Sequence, residues 1–589
     1  MNEPADAPAE QIRLFSEGLM AELGEQLAKS GKVARAQIEE LSAQMALTGD
    51  TLDRILLKES LVSERDILEA LSELTHIPFR PVAEFEIDEA VVRSVPAKVA
   101  IRYRIMPLTV RDGILLVACH RVPDLTVVNS LRMLLGRPLE WVLCSESDIA
   151  QSLKHFYGLG VETVDDVIRE KAQIEEPEQQ ESDFSIDNQS DAGIVRFVNQ
   201  VISEAIRMDA TDIHIEPFES RLRLRYRVDG VLQDIPVPQG IHRLRKAIAS
   251  CVKIMAQLNI AERRKPHDGR IKVRTGGEEF DLRVSVLPTR FGETVNLRIL
   301  NRASMFIDLA HLGLRPDQLP ILQSLSALPH GILLITGPTG SGKTTTLYAT
   351  LSRINTKEVK IITVEDPVEY QMDGINQIQV NPQIDLSFAS VLRSILRHDP
   401  DIILVGEIRD AETADIAVRA ALTGHLVFST LHTNDAASAV ARLLDMGIEP
   451  YLVSSCLEGV VAQRLVRRIC ATCRVPMEPD ETIKEEIHAA LPDLAPDAAF
   501  YKGRGCPDCN FTGYRGRIAL FEILVMQDEL RSMIVHQRPS NEIRNAAIER
   551  GLRPLRHSGW CRVQDGTTSV DEVLRVARKF DFATKKLPA

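Results

Sequence analysis

Apolar residues recur every four positions at Leu19, Leu23 and Leu27, which predicts a helix with one buried face. The pattern then repeats: Leu23, Leu27, Val33 and Ile38 return 29 residues later as Leu52, Leu56, Val62 and Ile67. In the second copy Ser63-Glu64-Arg65-Asp66 reads as a capping box opening the helix that carries Ile67, Leu68 and Leu71. From Arg102 to Leu143 the spacing changes to short strand-like runs such as Gly113-Ile-Leu-Leu-Val-Ala118, so residues 1–160 are predicted to be α+β. No catalytic constellation lies there, and the region reads as a docking or regulatory domain.

Residues 192 to about 305 mix helices with alternating strands. Ile213 and Ile215 alternate with Asp212, His214 and Glu216. Next, Leu222, Leu224, Tyr226 and Val228 face one way and leave Arg221, Arg223, Arg225 and Arg227 on the other. Gly276-Gly277 predicts a hairpin into a strand over 280–287, where Arg283 opposes Leu282, Val284 and Val286. A further strand over 294–300 places Arg298 among its polar positions. Taken alone, these arginines are the solvated side of an amphipathic sheet.

The strongest chemical signal is residues 331–350, GILLITGPTGSGKTTTLYAT. An apolar strand over 332–335 runs into Gly337, Pro338, Thr339, Gly340, Ser341, Gly342, Lys343 and Thr344, matching GxxxxGK[ST], and Thr345 continues into a predicted helix. The glycines let backbone wrap a phosphate, and the loop amides and helix N-terminus direct positive potential at it. Lys343 can reach the β- and γ-phosphates of a nucleotide, and the Thr344 hydroxyl can ligate Mg²⁺. Two further strands end in acids: one over 361–364 leads into Glu365-Asp-Pro-Val-Glu369, and one over 402–405 ends in Gly406-Glu407. Each acid alone also fits a helix cap or a solvated loop. Their joint order after a phosphate loop favours Glu407 as a Mg²⁺ holder and the 365–369 segment as the place for a base that orients water. His425 and His432 flank another apolar strand at an odd offset, which puts them on opposite faces; His432, just past the strand end, is the one placed near a γ-phosphate.

Cys470-Ala-Thr-Cys473 and Cys506-Pro-Asp-Cys509 are two CxxC pairs separated by 32 residues, the spacing of a closed tetrahedral Zn²⁺ site. Such a site leaves no open ligand position, so its role is structural. A redox CxxC is expected singly, at the start of a helix. The other cysteines read as isolated small apolar residues.

Composition changes this picture only in places. A chain of 589 residues holds about four domains at ~150 residues each. Its 44% hydrophobic and 26% charged content excludes a disordered or fibrous chain. No uncharged apolar run approaches the ~18–20 residues of a membrane span, and MNEPADAPAE lacks the positive charge of a secretory signal. A cytosolic protein, or one that only touches a membrane, is expected. The net charge of −13 is concentrated: Val161 to Asp191 holds eleven acids against Arg169 and Lys171, as a solvated linker should. The remainder is close to neutral and offers no compositional case for nucleic-acid binding.

The order of phosphate loop, VEDPVE at 364–369, PDIILVGEIRD at 400–410, GHLVFSTLHT at 424–433 and the tetracysteine resembles the secretion ATPases of type II secretion and type IV pilus assembly. The resemblance covers about residues 15–580, including TDIHIEP at 211–217. It implies an α/β fold: a RecA-like phosphate-loop ATPase core, preceded by a PAS-like α+β domain and an N-terminal α+β domain, with a tetracysteine zinc subdomain and a helical C-terminus. The domains implied are 1–160 for docking or regulation, 161–191 as acidic linker, 192–305 as the α+β domain supplying arginine fingers, 306–469 as ATPase core, 470–512 as zinc-binding insertion and 513–589 as helical C-terminal region. Carried over, Lys343 and Thr344 bind phosphates and Mg²⁺, Glu407 organises the metal and its water, Glu369 is the general base, and His432 belongs to the His box. The family works as a hexameric ring in which arginines from the preceding domain reach the nucleotide, which makes Arg225, Arg283 and Arg298 finger candidates.

Pilus retraction motors resemble the core but lack the tetracysteine and the long N-terminal domain, so the chain looks like an assembly motor. Some members bind cyclic di-GMP through a duplicated N-terminal motif like the repeat here. That motif wants an arginine where this chain has Glu22 and Thr51, and glycines where it has Asp53 and Ser60, which argues against cyclic di-GMP binding. The function implied is a hexameric Mg²⁺-ATP-hydrolysing motor of type II secretion, powering pseudopilus assembly through an inner-membrane platform and cytoplasmic docking proteins. It would sit in the cytoplasm, peripheral to the inner membrane. The alternatives are a type IV pilus assembly ATPase and, behind it, a nucleotide-gated scaffold without productive turnover. No nucleic-acid partner is expected.

Overall fold

The computed structural model describes residues 18–48, 50–159, 189–238, 240–301, 308–495 and 497–577. The acidic linker lies outside them, save that 189–191 already open the helix Gln189–Arg207. The described residues fall into two compact units: those before Asn301 together with Gly505–Thr512, and those of Asn301–Arg504 together with those from Gly513 onward.

The first unit opens with the repeat. Helices Leu19–Lys29, Arg35–Thr48, Leu52–Lys58 and Glu64–Thr75 bury Leu23, Leu27, Leu52, Leu56 and Ile67 in one core. Ser63 does cap the last of them, its Oγ accepting from Asp66 N at 3.2 Å while Asp66 Oδ2 accepts from Ser63 N. Strands β1 (Ile105–Arg111), β2 (Ile114–Cys119) and β3 (Leu139–Leu143) follow, β1 and β2 antiparallel and β2 and β3 parallel. The helix Gln189–Arg207 then lies on a six-stranded sheet of β4 (Ala210–Pro217), β5 (Leu222–Val228), β6 (Val231–Ile235), β7 (His267–Thr275), β8 (Glu278–Thr289) and β9 (Gly292–Asn301), in the order β6-β5-β4-β9-β8-β7. Leu222, Leu224, Tyr226 and Val228 are buried, as their alternation requires. Gly276 and Gly277 both adopt positive φ in the β7–β8 turn, the conformation a two-residue hairpin needs.

The second unit is built on a seven-stranded sheet. Its strands are β10 (Gly331–Thr336), β11 (Ile361–Glu365), β12 (Ile375–Gln379), β13 (Ile402–Val405), β14 (Leu426–Leu431), β15 (Leu457–Ile469) and β18 (Tyr514–Val525), ordered β12-β11-β13-β14-β10-β15-β18. Between the last two, β16 (Arg474–Met477) and β17 (Phe500–Gly503) form a separate pair. The sheet is parallel except for β18, which returns antiparallel to β15. Strands β10, β13 and β14 are buried along their whole length, so they read as unbroken apolar runs rather than alternations. Leu334 and Val405 pack into one core, and Leu333, Ile335 and Phe428 into the other, so helices cover both faces. The implied helical C-terminal region holds for the described residues from Asp528 onward, which form four helices, but its first stretch differs: Tyr514–Val525 is a strand of this sheet. Its apolar run does not distinguish a buried strand from a buried helix. Among the described residues no helix is long and apolar enough to cross a membrane.

Candidate functional site

The phosphate loop leaves the end of β10 and enters the helix Lys343–Ile354 at Gly342, its N-cap, with φ +86°. A Cβ on Gly342 would stand 2.9 Å from Gln463 Nε2, and one on Gly337 would stand 2.5 Å from Gln463 O and 2.6 Å from Ser341 Oγ. Only glycine fits this turn. Ser341 Oγ is buried inside the loop without a hydrogen-bond partner, a polar atom aimed into the cradle. Lys343 Nζ donates to Gly337 O at 2.8 Å and Pro338 O at 3.2 Å, so the ammonium already lies across the loop mouth. Burial pushes its pKa down to about 8, against the opposing pull of Glu407. Thr344 is exposed on the first helical turn and Thr345 half-buried beside it. The loop amides, the lysine and the hydroxyl together suit a nucleoside polyphosphate.

Glu407 lies just past β13, at the same edge of the parallel sheet. Its carboxylate meets the Arg409 guanidinium and lies 3.3 Å from His432 Nε2, so the strand tips of β13 and β14 converge on it. Burial works to raise the Glu407 carboxyl, but Arg409 and then His432 outweigh it and hold it below the usual carboxylate range. Arg409 also stands 3.9 Å from Asp366, past the tip of β11. Thr433, next to His432, is tied to the end of β10 by a 2.7 Å hydroxyl pair with Thr336. His425 instead bonds Ala420 O at 2.9 Å through Nδ1 and closes the helix Ala411–Leu422, a structural role. Glu369 is half-buried in the turn between β11 and β12.

The three arginines lie in the other unit, each on the polar face of its sheet. Arg225 grips Glu216 through two bonds of 2.9 and 2.6 Å. Arg298 bonds Asp212 at 3.0 Å, with Arg227 3.7 Å from the same carboxylate. Arg283 stands opposite Arg270 in the β7–β8 register.

The four cysteines come together. Cys470 and Cys473 follow β15, Cys506 and Cys509 precede β18, all are buried, and their sulfurs lie within 4.8 Å of one another. Cys506 and Cys509 sulfurs are 3.7 Å apart. A tetrahedral ion with Zn–S bonds of ~2.3 Å has sulfurs about 3.8 Å apart, so the donor set fits Zn²⁺. The insertion closes tightly, since a Cβ on Gly503 would stand 1.9 Å from Gly513 O.

Sequence reasoning gave no role to Arg409, Gln463 or Arg464. The available signal was a Gln-Arg pair interrupting the apolar run of β15.

The chain belongs to the family described as type II/IV secretion system protein, whose model matches residues 187–575; residues 75–163 match the MshEN domain. It is 44% identical over 539 residues to type II secretion system protein E of Xanthomonas campestris, covering 90% of this chain and 94% of that one. It is 42% identical over 505 residues to type II secretion system protein E of Pseudomonas aeruginosa, covering 85% and 99%. It is 40% identical over 560 residues to type IV pilus assembly ATPase PilB of Myxococcus xanthus, covering 94% and 98%. The chain is an ATPase of this secretion family, with a RecA-like core and a tetracysteine cluster.

Proposed function

We propose that this protein is the hexameric Mg²⁺-ATP-hydrolysing motor of a type II secretion system, driving pseudopilus assembly through an inner-membrane platform from the cytoplasmic side. The observation that carries it is the meeting of the phosphate loop with Glu407 and His432 at one edge of the sheet. Relatives at 42–44% identity named type II secretion system protein E support secretion over pilus assembly.

In this reading the loop amides and Lys343 hold the β- and γ-phosphates, and Thr344 and Glu407 hold Mg²⁺. The metal would neutralise charge developing on the phosphoryl oxygens. Glu369 takes a proton from the water whose oxygen attacks the γ-phosphorus, as the bond to the bridging oxygen breaks to leave ADP. Arg225, Arg283 and Arg298 act on the nucleotide of a neighbouring subunit, and Arg225 and Arg298 must first leave Glu216 and Asp212. Zn²⁺ on Cys470, Cys473, Cys506 and Cys509 holds the insertion shut, so purified protein should carry about one Zn²⁺ per chain and Cys473→Ser should unfold that insertion.

The test is a chromosomal Glu369→Gln replacement scored for secreted proteins and surface pili together. Lost secretion with pili intact is expected. Lost pili with secretion intact would make this a pilus assembly ATPase, and no change in either would overturn the motor. Phosphate release by purified protein excludes the scaffold without turnover.

A further inference from the structure

Strand β15 outruns its neighbour. Ala462 pairs with Thr336, the last residue of β10, so Gln463 and Arg464 continue alongside the phosphate loop. Successive strand residues point to opposite faces, and these two reach different parts of the site.

Gln463 is 2% exposed and directly follows the run Gly459-Val-Val-Ala462 of its strand. Its Oε1 accepts from the Thr346 hydroxyl at 2.8 Å. Its carbonyl oxygen and Nε2 fill the spaces that Cβ atoms on Gly337 and Gly342 would need. One side chain and its own backbone therefore touch the loop at its entry, at its exit and on the first helical turn. Arg464 turns the other way: Nη2 donates to Asn434 O at 3.2 Å and Oδ1 at 3.0 Å, two residues beyond His432. That loop is pinned at its far end by Asp435, whose Oδ1 accepts from Ser438 N at 2.8 Å and whose other oxygen pairs with Arg544. Thr433 ties the loop to Thr336 beside His432, Arg464 supplies the anchor between that pair and Asp435, and its charge also bears on the Lys343 ammonium.

We propose that Gln463 and Arg464 are positioning residues of the ATPase reaction that divide its two demands between adjacent places on one strand. Gln463 holds the phosphate loop in its binding geometry, and Arg464 holds the His432 loop in the geometry of turnover. The Thr346 hydroxyl fixes the rotation of the first helical turn, whose amides and Lys343 face the phosphates. Those contacts serve bound ATP and its transition state alike, so their loss appears in KM. His432 and Glu407 act where the water and the departing phosphoryl group change charge, so a shifted loop appears in kcat.

The test is steady-state ATP hydrolysis by the full-length protein, with melting temperatures recorded for each variant. Gln463→Met and Thr346→Val are each expected to raise KM for ATP about tenfold with kcat within about twofold, a change of the size one buried hydrogen bond supplies. The double variant should be no worse than either alone, because both remove one bond. Should Gln463→Met fail to fold, Thr346→Val reads the same bond from its other end. Arg464→Met should lower kcat about tenfold with KM within about twofold, and Arg464→Lys should recover part of it, since lysine keeps the charge while its shorter side chain does not carry the ammonium as far as the Nη2 that meets both Asn434 oxygens. Equal losses in KM and kcat for both positions, additive effects of Gln463→Met and Thr346→Val, or unchanged kinetics in folded variants would overturn the division. Failure of the ATPase reading itself would show separately, as a wild-type protein that releases no phosphate.

Discussion

Glu365 and Glu407 stand at the tips of adjacent parallel strands, four and five residues beyond the first residues, Ile361 and Ile402, of comparable apolar runs, and meet opposite fates. Glu365 is 4% exposed and accepts from Tyr348 OH, from Thr363 Oγ1 at 2.6 Å and from Gln377 Nε2 at 3.2 Å. All three donors are neutral and fixed by packing. Burial and the nearby Glu365 charge push the Tyr348 phenol upward, so it remains a donor. Glu407 is paired instead with Arg409 and His432, whose side chains are 62% and 50% exposed. Charged partners on exposed side chains can swing away when a cation arrives; a buried ring of neutral donors cannot. Two acids in similar sequence settings thus differ in whether their partners are replaceable, the difference expected between a structural carboxylate and the role proposed for Glu407.

The sharpest way to break the comparison is Glu407→Gln. Turnover should fall by about a hundredfold or more while nucleotide still binds, as for loss of one preorganised charge-stabilising group. Near-normal turnover would remove Glu407 from the reaction. Glu522 on β18 supplies the limiting case, a fully buried acid held by the amides of Ala436 at 2.9 Å and Leu555 at 3.1 Å. Burial raises its pKa to about 7. The folded carboxyl then keeps its proton where the unfolded one, near 4.5, has lost it. Its contribution is fully present below pH ~4.5 and is lost as pH rises through ~7, amounting to about 3 kcal/mol. Denaturant unfolding at pH 5 and pH 8 should show this slope, and Glu522→Gln should flatten it.

Glu365→Gln comes next in size. It turns an acceptor into a donor facing donors, which should cost about 2 kcal/mol of stability and leave KM for ATP near wild type. A variant that melts normally but hydrolyses poorly would reverse the assignment. Arg409→Ala should have the smallest effect. Removing an exposed competitor for the Glu407 carboxylate should lower the Mg²⁺ needed for half-maximal turnover by about twofold, within the range of surface ion pairs. A higher Mg²⁺ requirement would show that Arg409 orients Glu407 instead of shielding it.

What was legible in the sequence is what is local. The phosphate loop, the Ser63 capping box and the Gly276-Gly277 hairpin each depend on residues a few positions apart, and the alternation along β5 foretold which side is buried. The arginines were visible, but strand pairing alone sets Asp212 opposite Arg298 and brings Glu216, opposite Arg223, diagonally within reach of Arg225. Glu365 looked like one of several acids in a motif because Tyr348 and Gln377 reach it from 17 and 12 residues away. Gln463 lies 117 residues from Thr346, so nothing near either one announces the bond. The misread strand Tyr514–Val525 follows the same logic, since its partner β15 precedes it by a whole insertion.

That insertion has a further consequence. Ile469 and Tyr514 face each other across the last rung of the β15–β18 pair, so the chain leaves the sheet and re-enters it at strand-pair distance, ~5 Å. What is threaded between them, residues 470–513, meets two fixed ends just past the bulge at Arg467–Ile469, and the rungs before that bulge run unbroken from Gly459 to Arg467. That socket is not the only tie: Ile487 and Phe500 of the insertion share a core with Val405 and Trp560, and Glu486 pairs with Arg556, so the attachment is built into the chassis of the motor and only its exposed loops are free to change length.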